Sequence, residues 1–303
     1  MSEFIKHIDF EIRKDSNEEY HSRKEYIGAS GLKLIKKSPL HFKLQEQKTT
    51  EAMEFGTAYH TFILEPELFE QEYYLFDDTD VCSVLIGEGA KSPRATNVYK
   101  EWYNNQLVIA ASRKLMDKNM YSQLTKMSNI LSRHKFAKSL LMNGEAEMSI
   151  YCELTIITGQ KVKIKIRPDY KKDSKRAIAD LKTCMSANVY DFPRHAADLD
   201  YHIQAALYHD ILSEIEGKEM GWDFYFIAQE KSSPYCFNIF ESSPQFLSQG
   251  RYEWEQLIML YAWCLENDKW PGYQVFTENK FGVNELNLPA YQIHEINWFD
   301  HKF

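Results

Sequence analysis

The stretch RPDYKKDSKRAIADLKT, residues 167–183, sets two aspartates and a lysine among apolar residues. Side chains two apart on a strand share a face. Asp180 and Lys182 therefore point the same way, after Ile178. Asp169 ends the alternating run KVKIKIRPD, on the face that carries Lys161, Lys163, Lys165 and Arg167. If the two strands pair as a hairpin, Asp169 and Asp180 converge. Two carboxylates held together repel one another and call for a cation. Hard oxygen ligands suit Mg²⁺ or Mn²⁺. Such an ion polarises a phosphate and lowers the pKa of a bound water. A neighbouring lysine orients that water or stabilises charge on the phosphoryl oxygens. That chemistry would suit phosphodiester hydrolysis. The competing reading is a surface hairpin whose charges merely balance.

The elements that must position these residues follow from periodicity. Residues 1–28 show no firm pattern. A helix from Ser30 covers GLKLIKKS, and Ser38-Pro39 restarts the chain, since proline suits a first helical turn. AMEFGTAYHTFILE (52–65) reads as a helix stopped at Pro66. Residues 77–98 read as a loop and 99–142 as helical, with Leu124, Met127, Ile130 and Leu131 at helical spacing. Strands follow at 147–156, 161–169 and 176–183, with short connections that predict an antiparallel meander. A helix over 200–216, strands at 222–228 and 235–240 and an amphipathic helix at 244–267 complete the pattern. The last 35 residues are aromatic and irregular; Trp298, Phe299 and Phe303 read as packing or interface residues. The fold class is α/β or α+β, with a mixed central sheet flanked by helices. We divide the chain into a mainly helical part (1–142), a core (143–267) and a tail (268–303), one integrated domain overall.

Composition bounds the function. The chain has 303 residues, 44% of them hydrophobic and 26% charged, enough for a large core and too ordered a composition for disorder. Five scattered cysteines (Cys82, Cys152, Cys184, Cys236, Cys264) form no CxxC pair, which argues against structural zinc, an iron–sulfur cluster or a disulfide framework. With no signal peptide and no apolar run of membrane-spanning length, the sequence reads as cytoplasmic, with no membrane partner. The formal net charge is −8, yet residues 161–176 hold eight basic residues against two aspartates. That local surplus is a candidate nucleic-acid face, and its alternative is a solvated surface. His60, on the 52–65 helix, stands as either a ligand or a structural histidine. Gln204 and Tyr208 lie one helical turn apart. No GxxxxGK[ST], GxSxG or HExxH motif is present.

Four motifs in order carry a resemblance: GTAYH (56–60), PD (Pro168-Asp169), DLKT (180–183) and QAALY (204–208). The sequence resembles the PD-(D/E)xK nuclease superfamily, in its RecB-like branch, and within that the exodeoxyribonuclease VIII (RecE) catalytic domain and phage relatives. FGTAYHTFILEPELF and the IADLKT to YHIQAALYHDIL passage carry the closer match, over roughly residues 25–265. The resemblance implies a restriction-endonuclease-like core behind an N-terminal helical layer. It implies His60, Asp169 and Asp180 as metal ligands, with the Leu181 carbonyl as a further one. Lys182 is then the catalytic lysine, and Gln204 and Tyr208 buttress the site or touch DNA. A further glutamate ligand would be Glu147 or Glu153, with Glu147 favoured. The cofactor implied is Mg²⁺, two ions, with Mn²⁺ as an alternative.

The implied activity is 5′→3′ digestion of one strand of linear double-stranded DNA, leaving 3′ tails for recombination. The implied partners are DNA ends and a single-strand annealing protein. Homo-oligomers, including rings, are also implied; Lys163, Lys165, Arg167 and Lys171 would then line a DNA channel. An endonuclease or single-strand-specific nuclease of the same superfamily stays open, as does a non-catalytic DNA-binding or assembly protein of the same fold.

Overall fold

The computed structural model describes residues 4–46, 50–216, 221–273, 283 and 285–287. The chain opens with strand β1 (Ile5–Arg13) and helices α1 (Asn17–Ser22), α2 (Ala29–Lys37), α3 (Pro39–Lys43), α4 (Glu51–Leu64) and α5 (Pro66–Glu72). Then come β2 (Tyr73–Phe76), α6 (Thr79–Gly87), α7 (Asn97–Ala110), β3 (Lys114–Asp117), α8 (Lys118–Ser132) and α9 (Lys135–Leu140). The centre holds β4 (Glu145–Ala146), β5 (Ser149–Ile156), β6 (Lys161–Ile166), β7 (Tyr170–Lys172) and β8 (Ala177–Cys184). The last elements are α10 (Asp191–Asp198), α11 (Tyr201–Ile215), β9 (Asp223–Glu230), β10 (Phe237–Glu241) and α12 (Pro244–Asn267). Among the described residues no helix is long and apolar enough to cross a membrane.

Local chemistry fixes the helix starts. Ser38 accepts the His41 N–H with Pro39 in the first turn, Thr50 caps α4, Asp117 caps α8, and Ser243 caps α12 ahead of Pro244. Each cap satisfies a backbone donor that the helix leaves without a partner.

The mixed α+β fold is the expected one, but the meander is not. The strands run in the order β1-β5-β6 in one sheet and β10-β9-β8-β7-β4 in another. The run 161–169 is two strands. Pro168 has no N–H to give a ladder, and the chain leaves β6 after Ile166 to re-enter the other sheet as β7. There β7 pairs with β8 antiparallel, from Tyr170 opposite Ala179 to Lys172 opposite Ala177, and β8 pairs with β9 in parallel. Three further elements depart from expectation. β1 pairs along β5 within residues read as unpatterned. α6 forms where a loop was expected. The helix expected over 99–142 is broken by β3, with Ala111 in the left-handed region at φ 56°.

The faces of β8 alternate with period two. Ala177, Ala179 and Leu181 pack with the apolar residues of α4, α8 and α9, including Tyr59, Leu124 and Met127. Ile178 packs on the opposite side with residues of α2, α11 and α12, including Leu32, Leu207 and Trp254. Asp180 and Lys182 share the parity of Ile178 and so face α11. The tail expected at 268–303, with Trp298, Phe299 and Phe303, lies largely outside the described residues.

Candidate active site

The site is assembled from five places in the chain. β8 supplies Asp180 and Lys182. Asp180 is fully buried, and the Lys182 ammonium is ion-paired to its Oδ1. α11 supplies Gln204, whose Nε2 donates to Asp180 Oδ2 at 2.7 Å. The break between β6 and β7 supplies Asp169. Its Oδ2 accepts the Leu181 N–H at 2.8 Å and lies 3.4 Å from His60 Nδ1. α4 supplies His60, whose Nε2 meets the Leu181 carbonyl at 2.8 Å. Leu181 thus holds two site residues by its backbone while its side chain is buried in the core.

Glu147 completes the group, its Oε1 3.9 Å from His60 Nδ1. It sits between β4 and β5 at φ 53° rather than on the polar face of a strand. A non-glycine residue in that region is costly and marks a place the surrounding structure enforces. Its N–H donates to the Asp169 carbonyl, and Arg167 clamps its Oε2 at 2.9 Å. Glu153, the alternative, instead pairs with Lys161 on the β5–β6 surface.

The electrostatics show what is missing. Burial pushes the Asp180 carboxyl up to about 6, with Asp169 adding to the rise and Lys182 resisting it. Burial likewise raises Asp169, against the pull of His60 and Lys182. Burial would lower His60, but Asp169 and Glu147 outweigh it and hold the imidazolium up to about 9. Lys182 is held well above its ordinary value because Asp180 and Asp169 outweigh its desolvation. Three carboxylates thus face Lys182 and Arg167, and a proton on His60 supplies the remaining positive charge. His60, Glu147 and Asp169 offer ligand atoms that all lie within 4.8 Å of one another. Carboxylate oxygens plus one imidazole form a donor set that fits a divalent cation, whose charge would take over from the His60 proton. A second acidic cluster, Asp200, His202 and Glu253, is different: the Lys36 ammonium already sits in it, 2.5 Å from Asp200 and 2.7 Å from Glu253.

The geometry on β8, with an aspartate and a lysine two apart, a second aspartate beside a proline and a supporting glutamine from the following helix, is that of a PD-(D/E)xK core. Residues 28–278 match the family model described as "PDDEXK-like domain of unknown function (DUF3799)". The chain belongs to this family. No curated protein matches it in sequence. A crystal structure described as a "Putative exonuclease" from Eubacterium rectale aligns over 91% of this chain and 96% of that one, with a TM-score of 0.57 at 17% identity. That likeness supports the fold of this PDDEXK-like domain. A second structure, SSO0001, aligns over 66% of this chain and 85% of that one at 21% identity; its TM-score of 0.28 is too low to bear on the fold.

Other expected residues of the PDDEXK-like domain lie elsewhere. Tyr208 is buried against Phe224, within electrostatic reach of Asp180 and Asp169. The basic stretch is not a DNA-facing strip. Lys165 is buried and donates to the carbonyls of Tyr20 and Arg23. Lys171 is buried between Asp173, Glu216 and the Trp222 ring. Arg167 is spent on Glu147. Of the four, Lys163 alone stays exposed, over the Tyr26 ring. Alternation placed Lys163, Lys165 and Arg167 on an outer face, but Tyr20 and Arg23 cover Lys165, while Glu216 and Trp222 close over Lys171 in the turn that follows. Two residues went unread. Tyr201 has its ring centroid 4.9 Å from the Lys182 ammonium. Lys33 of α2 has its ammonium 5.0 Å from the same centroid. Burial and Lys182 lower Lys33 to about 8. Neither carries a signal in its local spacing; only the packing of α2 and α11 on β8 brings them in.

Proposed function

We propose that this PDDEXK-like domain is a Mg²⁺-dependent deoxyribonuclease that digests linear double-stranded DNA from 5′ ends and leaves 3′ single-stranded tails. The observation that carries a hydrolytic site is the convergence of His60, Glu147, Asp169 and Asp180 beside Lys182. The exonuclease assignment rests on the resemblance to exodeoxyribonuclease VIII and on the description of the Eubacterium rectale structure. His60, Glu147, Asp169 and Asp180 would hold the metal, which when bound supplies Lewis acidity and a water acidic enough to attack a phosphate. The protein's own residues do the rest. Gln204 and Lys182 fix both oxygens of Asp180. The Leu181 N–H fixes Asp169, and Arg167 fixes Glu147. The Lys182 ammonium stands where negative charge develops on a phosphoryl oxygen. Hydrolysis adds water across one P–O bond, giving a phosphate monoester and a hydroxyl.

The test uses linear duplex DNA labelled at the 5′ or the 3′ end and a covalently closed circle, each with Mg²⁺ or EDTA. Early Mg²⁺-dependent release of the 5′ label with the circle left intact is the expected result. Nicking of the circle would replace the proposal with an endonuclease. No cleavage of any substrate would leave a non-catalytic fold.

A further inference from the structure

Lys33 is half-buried, and among the described residues its ammonium has no hydrogen-bond acceptor and lies over the Tyr201 ring. Two carboxylates act on it electrostatically, and both are committed elsewhere. Asp180 is taken by Lys182 and Gln204. Asp200 is taken by Lys36 at 2.5 Å. A half-buried ammonium that faces an aromatic ring and a second cation, with no carboxylate free to pair with it, is placed to take an anion. The flanking groups say which. Lys33 and Lys182 stand 5.0 and 4.9 Å from one aromatic centroid, so two cations border the same ring at the edge of the acidic cluster. A carboxylate ligand from the chain would have to displace Lys36 or Lys182 from its partner. A phosphate needs no such exchange.

We propose that Lys33 binds a phosphate of the DNA strand that enters the site, with its ammonium on a non-bridging oxygen. This rests on the nuclease reading above and names a contact that reading does not need. Lys33 would position the strand, with Lys182 left to act at the reacting phosphate.

The experiment compares wild type, Lys33→Met and Lys33→Arg on short duplexes carrying a 5′-phosphate or a 5′-hydroxyl, with affinity measured against salt in Ca²⁺ and turnover measured in Mg²⁺. Lys33→Met should melt no lower than wild type, since it removes a desolvated charge. It should bind DNA about 10-fold more weakly, with the salt slope reduced by about one counterion. Lys33→Arg should restore most of both. An equal loss on both duplexes assigns an internal phosphodiester, and a loss confined to the 5′-phosphorylated duplex assigns the terminal monoester. Unchanged affinity and slope in Lys33→Met, with the wild type active, overturns the phosphate contact alone. A lower melting temperature with an unchanged slope overturns it in favour of a structural role. A wild type that neither binds nor cuts DNA removes the nuclease reading and this contact together.

Discussion

Gly250 of α12 lets that helix approach the α11 backbone closely. A Cβ built there would lie 2.0 Å from the His202 carbonyl oxygen, 2.6 Å from its carbon and 2.8 Å from Ala206 Cβ. The first two are backbone atoms, so no rotamer change relieves the clash. In Gly250→Ala the helices must separate by roughly 1 Å, which puts the cost at the upper end of overpacking, about 3 kcal/mol. Higher helix propensity returns about 1 kcal/mol. The net loss of about 2 kcal/mol should lower the melting temperature of a chain this long by roughly 3 °C. Gly56 of α4 provides the opposite case, because a Cβ there meets nothing within 4 Å. Gly56→Ala should therefore gain about 1 kcal/mol. The displaced helix carries Gln204 and Tyr208, so Gly250→Ala should also lower turnover, by up to about 100-fold for a shift of about 1 Å. Thermal melts of the two alanine variants beside wild type, with nuclease assays, read both effects. A Gly250→Ala variant that melts at or above wild type would refute the α11–α12 packing and the positioning built on it.

Other predictions follow from buried polar pairs and from the ligands. Tyr59 donates its hydroxyl to Gln229 at 2.5 Å with both residues fully buried, so Tyr59→Phe should cost about 1–3 kcal/mol in urea unfolding. At Glu253, burial raises the carboxyl, but Gln249, Lys36 and His202 outweigh it and bring it down to about 2 from 4.5. A lowered pKa gives stability that is full above 4.5 and lost as pH falls toward 2. With solvent screening allowed for, this contributes about 1–2 kcal/mol, and Glu253→Gln should flatten that part of the stability–pH curve. Lys171→Met should lower the melting temperature and leave the salt slope of DNA binding unchanged, because its ammonium is spent on Asp173 and Glu216. Asp169→Asn should abolish the rise in melting temperature that Mg²⁺ or Mn²⁺ gives the wild type, since a ligand bound only by the folded state stabilises it.

The candidate site residues were legible because their spacing is short and periodic. Asp180 and Lys182 need only a strand, and Gln204 and Tyr208 need only a helix, to share a face. Glu147 was named for the wrong reason, since a positive φ brings it in where a strand was expected. What alternation could not show was the exchange between sheets at Arg167-Pro168-Asp169. Reading 161–169 as one strand made an antiparallel meander follow and put Lys165 on an open face. Burial of Lys165 and Lys171 depends on segments far away in sequence. β1 went unread because its apolar residues are half out of the core; Phe10 and Ile12 are 48% and 45% exposed. Lys33 and Tyr201 enter the site through tertiary packing alone.

The central claim is that the cluster around Lys182 hydrolyses DNA with a divalent metal. The most direct measurement is cleavage of linear duplex DNA by wild type and Lys182→Ala, each with Mg²⁺ or EDTA, after melts show both proteins folded. Mg²⁺-dependent cleavage by wild type, reduced about 100–1,000-fold in the variant, is the predicted result. Equal rates for the two folded proteins, or cleavage that persists in EDTA, would contradict it.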